Sequence, residues 1–206
     1  MRLPLLIAAL VLGAAGAAAA QQQPQPVYTQ LFVSPMGEPF RATDAQPYPS
    51  AAWFAGADAN HDGVISREEF RADAQRFFKL LDVNGDGKLS DAEMHRYEVV
   101  VAPEIVAASI DTSLDEATDK DFKGDTKQTS LSAVRQGASF YGLIDTPEPV
   151  RASDADFNQK VTLEEWMDAA NRRFHLLLPD GKDGIRMSDL PPTPFQLQIA
   201  KTSHKH

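Results

Sequence analysis

The chain has 206 residues, a formal net charge of −9 at pH 7 and no cysteine. Its acidic balance argues against nucleic acid and anionic membrane surfaces as partners, because both attract basic proteins. Without cysteine the chain forms no disulfide, and it cannot be a lipoprotein modified on an N-terminal cysteine.

Residues 1–20 have the pattern of a secretory signal peptide. Arg2 is followed by an apolar run over 3–11 and by small residues over 13–20, which is the order that such leaders show. We expect cleavage after Ala20, although any of several alanines in this stretch would serve, and a mature protein that is periplasmic or secreted, with no membrane contact. The alternative is an uncleaved leader that anchors the chain, although the run is short for a spanning helix, which needs about 20 apolar residues.

Residues 21–50 carry six prolines, few charges and no helical period. This composition predicts an extended Pro-rich arm. From Ala51 the pattern becomes helical, and Trp53 and Phe54 lie where a helix places aromatic contacts just before a loop. The first folded half is therefore expected over 51–103.

Two twelve-residue stretches, 58–69 (loop one) and 82–93 (loop two), follow the pattern D-x-[DN]-x-[DN]-G-x5-E. The pattern supplies oxygen donors at positions 1, 3 and 5, a turn-forming glycine at 6, a backbone carbonyl at 7 and a bidentate glutamate at 12. Calcium prefers six to eight such oxygens, so both loops are predicted calcium sites. The alternative is a surface Asp/Asn turn without metal. At position 8, Ile65 and Leu89 are expected to form short strand contacts with other loops.

A helix shared by both loops is predicted between them, since apolar residues recur on one helical face. They are Phe70, Ala74, Phe77, Phe78 and Leu81. After loop two a further helix is predicted, with Met94, Tyr97 and Val101 on one face, and Pro103 is expected to end it.

Residues 104–139 are predicted to form a polar, partly disordered connector, because they are rich in Asp, Lys, Thr and Ser and have few apolar anchors. The segment 140–192 then repeats the first half at an offset of 96 residues. For example, 68–70 aligns with 164–166, each being two glutamates followed by an aromatic residue. An internal duplication is therefore expected, which leaves 193–206 as a C-terminal tail.

The repeat places two more twelve-residue loops in the second half. Loop three, 154–165, keeps the pattern except for Gln159 at position 6, where a non-glycine residue with positive φ costs roughly 1 kcal/mol. We expect weaker calcium binding there. Loop four, 178–189, has Leu178 at position 1 and the shorter acid Asp189 at position 12. We expect a degenerate loop that pairs with another loop and binds no calcium.

These loops resemble those of the EF-hand family, specifically the small exported bacterial EF-hand proteins whose paired loops share a helix. The resemblance covers 53–98 and, more loosely, 140–190. It implies an all-α fold of helix-loop-helix repeats, in two duplicated halves that each carry two loops on a shared helix. It also implies Ca2+ as the bound ion, with two sites, a weaker third and a degenerate fourth.

The resemblance assigns a set of ligands to each of three loops. In loop one they would be Asp58, Asn60, Asp62, the Val64 carbonyl, Ser66 through a water, and Glu69. In loop two they would be Asp82, Asn84, Asp86, the Lys88 carbonyl, Ser90 and Glu93. In loop three they would be Asp154, Asp156, Asn158, the Lys160 carbonyl, Thr162 and Glu165.

The two loops of the first half are expected at opposite ends of their shared helix. At about 1.5 Å per residue this separates them by roughly 20 Å, so they cannot pair with each other. Pairing between the halves is therefore expected. The spacing leaves open whether loop one meets loop three or loop four.

The leading functional hypothesis is a non-enzymatic calcium-binding protein in which the ion is mainly structural, since calcium outside the cytosol is not subject to cytosolic pulses. The first alternative is a sensor or adaptor in which calcium exposes an apolar groove to a protein partner. The second is an enzyme with ancillary calcium. The chain shows no nucleophile elbow, phosphate loop or paired-acid arrangement that would favour an enzyme, and the sequence names no protein partner.

Overall fold

The computed structural model describes residues 27–107 and 135–203. The predicted leader, 1–20, lies outside these residues, and so does most of the predicted connector, over 108–134. Two small antiparallel sheets accompany the helices, so the all-α prediction is incomplete. Within the described ranges, no helix is both long enough and apolar enough to cross a membrane.

The first sheet is a hairpin of strands β1 (Gln30–Val33) and β2 (Pro39–Ala42). The prediction of an extended arm over 21–50 does not anticipate this hairpin. Its prolines are compatible with the pairing, because Pro35 lies in the connecting turn and Pro39 is the first residue of its strand. Both are places where a missing N–H group is tolerated.

Helices and one short strand form the rest of the first half, and their order follows the loops. They are α1 (Ser50–Ala57), α2 (Arg67–Leu81), β3 (Lys88–Leu89), α3 (Asp91–Arg96) and a π-helical extension of α3 (Tyr97–Val101). The continuous α2 confirms the predicted helix between loop one and loop two. The extension ends before Pro103, as predicted, and 103–107 is helical again, since proline is well tolerated at a first helical position.

The second half has a similar order. Its elements are α4 (Ala138–Tyr141), a 3-10 turn (Arg151–Ser153), β4 (Val161–Thr162), α5 (Leu163–Leu177), a 3-10 turn (Met187–Asp189) and α6 (Pro194–Ser203). Both bounds of α5 lie 96 residues after those of α2, which is the offset found in the sequence. Helix α6 occupies most of the described part of the predicted tail.

The core lies between α2 and α5, whose apolar faces pack together. The indole Nε1 of Trp166 donates a hydrogen bond to the Ala74 carbonyl (2.8 Å). The Phe78 ring lies 5.8 Å from the Trp166 ring, and the Phe70 ring lies 5.6 Å from that of Phe174. Each fully buried aromatic side chain contributes about 2–3 kcal/mol, so this seam is a principal source of stability.

The hairpin closes the same core from one side. Phe32 is fully buried, and its ring lies 5.6 Å from that of Trp53 in α1. Leu31, Val33 and Met36 are also buried. The segment that precedes the first loop is therefore an integral part of the folded body.

Candidate metal centre

Loops one, two and three each end in the first turn of a helix, and the residue at position 9 caps that helix. In loop one the Ser66 hydroxyl accepts a hydrogen bond from the Glu69 N–H (3.2 Å), and Glu69 Oε2 accepts one from the Ser66 N–H (2.9 Å). This reciprocal capping box satisfies free N–H groups at the helix terminus. The other two boxes are formed by Ser90 with Glu93 and by Thr162 with Glu165. The cap holds the position-12 carboxylate at the loop, where a bidentate ligand is needed.

The side chains at positions 1, 3 and 5 accept hydrogen bonds from the backbone of their own loop. In loop one, Asp58 Oδ2 accepts from the Gly63 N–H (2.9 Å). Asn60 Oδ1 accepts from the Asp62 N–H (2.9 Å), and Asp62 Oδ1 accepts from the Val64 N–H (2.8 Å). Because the bonds come from one short stretch of backbone, they gather the ligand oxygens of this loop.

The same bonds recur in the other two predicted sites, with donor–acceptor distances of 2.8–3.1 Å. In loop two they join Asp82 with Gly87, Asn84 with Asp86, and Asp86 with Lys88. In loop three they join Asp154 with Gln159, Asp156 with Asn158, and Asn158 with Lys160. The structure therefore brings the predicted ligand residues together within each of the three loops.

The glutamates at position 12 are held in the ionised form that a calcium ligand requires. The backbone N–H of the capping residue lowers the pKa of Glu69 and that of Glu165. Burial raises the pKa of Glu93, but the hydrogen bonds from Ser90, Asn84 and Val83 together outweigh burial, so the pKa is lowered overall. The donor chemistry of all three loops thus fits a hard cation such as calcium.

The predicted acidic ligands of loop three are at positions 1, 3 and 12, whereas those of the first two loops are at positions 1, 5 and 12. One carboxylate oxygen from each of Asp154, Asp156 and Glu165 lies within 4.8 Å of the other two. Loops one and two have asparagine at position 3, so their carboxylates cannot form this particular triad. The loop that lacks the glycine at position 6 still gathers its carboxylates around one point.

Left-handed backbone occurs at two positions of these loops. Gln159 has φ = 65°, as predicted for position 6. Sequence reasoning missed position 4, where His61 and Phe157 both have φ = 59°. Gly85 and Gly181 have positive φ at the same position of loops two and four, and these glycines were the available signal. Loop three therefore has two non-glycine residues in a conformation that costs each of them roughly 1 kcal/mol or more.

Loop two pairs with loop three through β3 and β4. In this sheet Lys88 lies opposite Thr162, and Leu89 lies opposite Val161. The apolar residues at position 8, Leu89 and Val161, are fully buried. This contact confirms the predicted pairing between the halves.

Loop one pairs with loop four. The Ile65 N–H donates to the Ile185 carbonyl (2.8 Å), and the Ile185 N–H donates to the Ile65 carbonyl (3.0 Å). Gly184 permits this approach, because a Cβ atom there would lie 2.3 Å from Cγ1 of Val64. Loop four thus has the pairing surface although Leu178 stands at position 1, where the other three loops have aspartate. Its acid at position 12, Asp189, has a buried oxygen, Oδ2, with no hydrogen-bond partner in the described part of the chain.

A buried arginine beside loop three was not recognised in the sequence. Arg173 is 5% exposed and donates to the carbonyls of Pro149 (2.6 Å) and Pro35 (3.2 Å) and to the Ser153 hydroxyl (3.3 Å). Burial lowers the pKa of Arg173 to about 10, so the side chain stays charged at neutral pH. Its counterpart 96 residues earlier is the core residue Phe77. A charged residue at a position that is apolar and buried in the first half was the available signal for an unusual contact.

Comparison with protein families decides the identity of the first two loops. The family model described as EF hand matches residues 51–72 and 74–99, two segments that contain loop one and loop two. Residues 51–99 belong to the EF-hand family. EF-hands are calcium-binding modules, so calcium is the ion expected at loop one and loop two. Loops three and four lie outside the matched segments. No match to the chain was found among curated proteins or among solved structures.

Proposed function

We propose that this protein is an exported, non-enzymatic calcium-binding protein in which loops one, two and three each hold one calcium ion and the ions stabilise the fold. Loop four serves as the pairing partner of loop one and binds no calcium. The ligand residues are those assigned above to each loop. The hydrogen-bonded oxygen sets and the ionised position-12 glutamates support this assignment.

One observation favours a structural role over a sensor: the N-terminal hairpin is bound to the helices that a sensor would have to move. Calcium opens sensor EF-hands by changing the angle between the helices that flank a loop, which exposes an apolar groove. Here Phe32 packs on the helix that enters loop one, through Trp53. The Tyr97 hydroxyl, on the helix that leaves loop two, donates to the Gly37 carbonyl (2.7 Å).

Ion pairs reinforce this cover. Arg76 of α2 contacts Glu38 in the hairpin turn and also pairs with Asp73 (2.7 Å). Arg41 of β2 pairs with Glu104 (Nε to Oε1, 2.6 Å), and its Nη2 donates to the Val101 carbonyl (2.8 Å). Opening of the helices would break these contacts and expose the buried hairpin, so calcium is expected to hold a closed body in place.

The stabilisation expected from calcium is large for a chain without disulfides. An ion that binds only the native state adds about 2.7 kcal/mol per site at a hundredfold excess over its dissociation constant. Three such sites together approach the total stability of an ordinary domain, about 5–15 kcal/mol.

Calorimetric titration tests the assignment of sites. Decalcified protein 21–206 should bind three calcium ions, and Glu69→Ala, Glu93→Ala and Glu165→Ala should each remove one. Asp189→Ala, the matched substitution at position 12 of loop four, should leave the number at three. A fourth ion that is lost in Asp189→Ala would contradict the role given to loop four.

A hydrophobic dye distinguishes the structural role from the sensor alternative. If calcium closes the body, dye fluorescence should fall when calcium is added to decalcified protein. A rise in dye fluorescence on calcium addition would favour a sensor instead. Magnesium at the same concentration is the control, because it prefers six-coordinate geometry at shorter distances than these loops are suited to provide.

The export proposal has its own test. It is supported by the leader pattern of residues 1–20. When the full chain is expressed in a Gram-negative host and fractionated, the periplasmic or secreted protein should begin at Gln21. Full-length protein that stays in the membrane fraction would indicate an uncleaved anchor.

A further inference from the structure

Loop one and loop two both have asparagine at position 3, but the residue that follows it differs. Asn60 is followed by His61, and Asn84 is followed by Gly85. Both asparagines are exposed. An exposed asparagine before glycine is prone to deamidation, because no side chain crowds the attacking backbone nitrogen and glycine leaves the backbone free to rotate. Loop two therefore has a chemically labile residue at the place of a predicted calcium ligand.

The backbone nitrogen that would attack Asn84 is not shielded. The N–H groups on either side of it donate to carboxylates, Asn84 to Glu93 Oε1 (3.3 Å) and Asp86 to Asp82 Oδ1 (3.1 Å). Within the described part of the chain, the Gly85 N–H donates no hydrogen bond. A Cβ atom added at Gly85 would meet no atom within 4 Å. Neither a hydrogen bond nor a neighbouring side chain therefore protects this nitrogen.

The side-chain contacts of the two asparagines are nearly identical. Asn60 Oδ1 accepts from the Asp62 N–H (2.9 Å), and its Nδ2 donates to Asp62 Oδ2 (3.1 Å). Asn84 Oδ1 accepts from the Asp86 N–H (2.9 Å), and its Nδ2 donates to Asp86 Oδ2 (3.3 Å). The residue at position 4 is therefore the main difference between the two sites, which makes loop one a control within the same chain.

We propose that Asn84 is a site of spontaneous deamidation, with water as the co-reactant, and that the reaction inactivates loop two when the loop is empty of calcium. Without the ion, Asp82, Asp86 and Glu93 repel one another, which weakens the hydrogen bonds that hold the Asn84 amide. Bound calcium therefore protects Asn84. This protection rests on the proposed function, whereas the greater lability of Asn84 relative to Asn60 does not.

The reaction has two steps. The Gly85 nitrogen loses its proton to solvent base and attacks Cγ of Asn84, which closes a succinimide ring, while the side-chain amide nitrogen takes up a proton and leaves as ammonia. Water then adds to one of the two ring carbonyls and breaks its bond to the Gly85 nitrogen, which regains a proton. Opening at Cγ gives aspartate, and opening at the main-chain carbonyl gives isoaspartate, whose main chain is one atom longer.

The two products differ in their expected effect on calcium binding. Loop three has aspartate at position 3, Asp156, so the aspartate product keeps an oxygen donor of a suitable kind. Isoaspartate lengthens the main chain between Asp82 and Asp86 and displaces the group at position 3. The isoaspartyl form of loop two should therefore lose its ion.

The test is incubation of protein 21–206 at neutral pH, with calcium or with excess chelator, followed by mass spectrometry of the peptides that contain Asn60 and Asn84. In chelator, Asn84 should deamidate about tenfold faster than Asn60, a barrier difference of about 1.4 kcal/mol. At a hundredfold excess of calcium over its dissociation constant, the Asn84 rate should fall at least about tenfold, because only about 1% of the loop is then empty.

Exchange of the residues at position 4 separates the chemistry from the fold. His61→Gly should make Asn60 deamidate as fast as Asn84, and Gly85→His should slow Asn84 to the rate of Asn60. The backbone suits both exchanges, since His61 has φ = 59° and Gly85 has φ = 70°. Asn84 that stays intact in chelator, or rates that follow the loop and not the residue at position 4, would overturn the proposal.

Calorimetric titration distinguishes a failure of this proposal from a failure of the proposed function. Protein aged in chelator should lose calcium binding at loop two in proportion to its isoaspartyl fraction, whereas Asn84→Asp should still bind three ions. Equal Asn84 rates with and without calcium, in protein that binds calcium at loop two, would overturn the protection. If fresh protein binds no calcium at loop two, the proposed function fails, and faster deamidation of Asn84 than of Asn60 still supports the labile site.

Discussion

Loop two meets loop three across the two-residue strands β3 and β4, whereas loop one meets loop four through a single Ile65–Ile185 bridge. In the first pair both loops have a full set of predicted ligand residues. In the second pair only loop one has them. The apolar residue at position 8 is nevertheless fully buried in all four loops. Pairing therefore does not require a complete set of predicted ligands, because loop four pairs without one.

Removal of calcium should have the largest effect on stability and should distinguish the two loop pairs. Excess chelator should lower the melting temperature of protein 21–206 by roughly 15–30 °C, given about 2.7 kcal/mol per site and about 2–4 °C per kcal/mol for a chain of this size. The first pair should lose more stability than the second, because two of its loops lose an ion. Hydrogen exchange of 82–93 and 154–165, compared with 58–69 and 178–189, measures the difference. An unchanged melting temperature in excess chelator would contradict the structural role of calcium.

Ile185→Ala should break the second pair without touching a calcium ligand. Ile185 is fully buried, and a substitution of this kind costs about 2–5 kcal/mol. It should also weaken calcium binding at loop one, because its pairing surface is damaged. Chemical denaturation measures the loss of stability, and calorimetric titration measures the loss of calcium affinity at loop one. Leu176→Ala, at an exposed position of the same half, is the control and should change stability by less than about 0.5 kcal/mol.

Glu93→Ala and Glu69→Ala should show whether calcium binding at one loop of a pair affects calcium binding at the other. Each removes one site, worth about 2.7 kcal/mol at a hundredfold excess of calcium. Glu93→Ala should in addition weaken binding at loop three, since β3 and β4 are ordered together. Loop one pairs with loop four, which lacks a full set of predicted ligands. Glu69→Ala should therefore leave the calcium affinities of loops two and three unchanged. If both variants leave the remaining two sites unaltered, the strand contact does not couple the ions.

Gln159→Gly should have the smallest effect, and it should favour binding. Glycine removes the strain of φ = 65° at position 6, which is worth roughly 1 kcal/mol, but it also makes the free loop more flexible. The net expectation is calcium binding at loop three that is about twofold to fivefold tighter. Titration of this variant against wild type checks it, and Gln159→Asn should fall between the two. Weaker binding in the glycine variant would show that strain does not limit this loop.

The sequence predicts the loops well because each is a local pattern. Their spacing alone marks Asp58 and Glu69 as predicted ligands, and the apolar Ile65 and Leu89 correctly predict strand contacts between the halves. The choice of partner is not encoded in any twelve-residue stretch. It depends on how α2 and α5 pack, with Trp166 against Ala74.

The hairpin and Arg173 were harder to predict for a different reason. The six prolines of 21–50 obscure two short strands, and the contacts that hold them come from distant parts of the chain. A buried guanidinium that binds backbone carbonyls leaves no motif, because its acceptors at Pro35 and Pro149 are main-chain atoms.

The bond between Arg173 and the Pro35 carbonyl also has a consequence for folding kinetics. The two residues are 138 positions apart in the chain, and contacts of such long range form slowly. During synthesis the hairpin emerges before most of the helices that receive it, and domains assemble from the N-terminus as the chain grows. Because Arg173 lies in α5, this hydrogen bond cannot form until α5 is complete, and we expect it to be among the last contacts to form when the decalcified chain refolds.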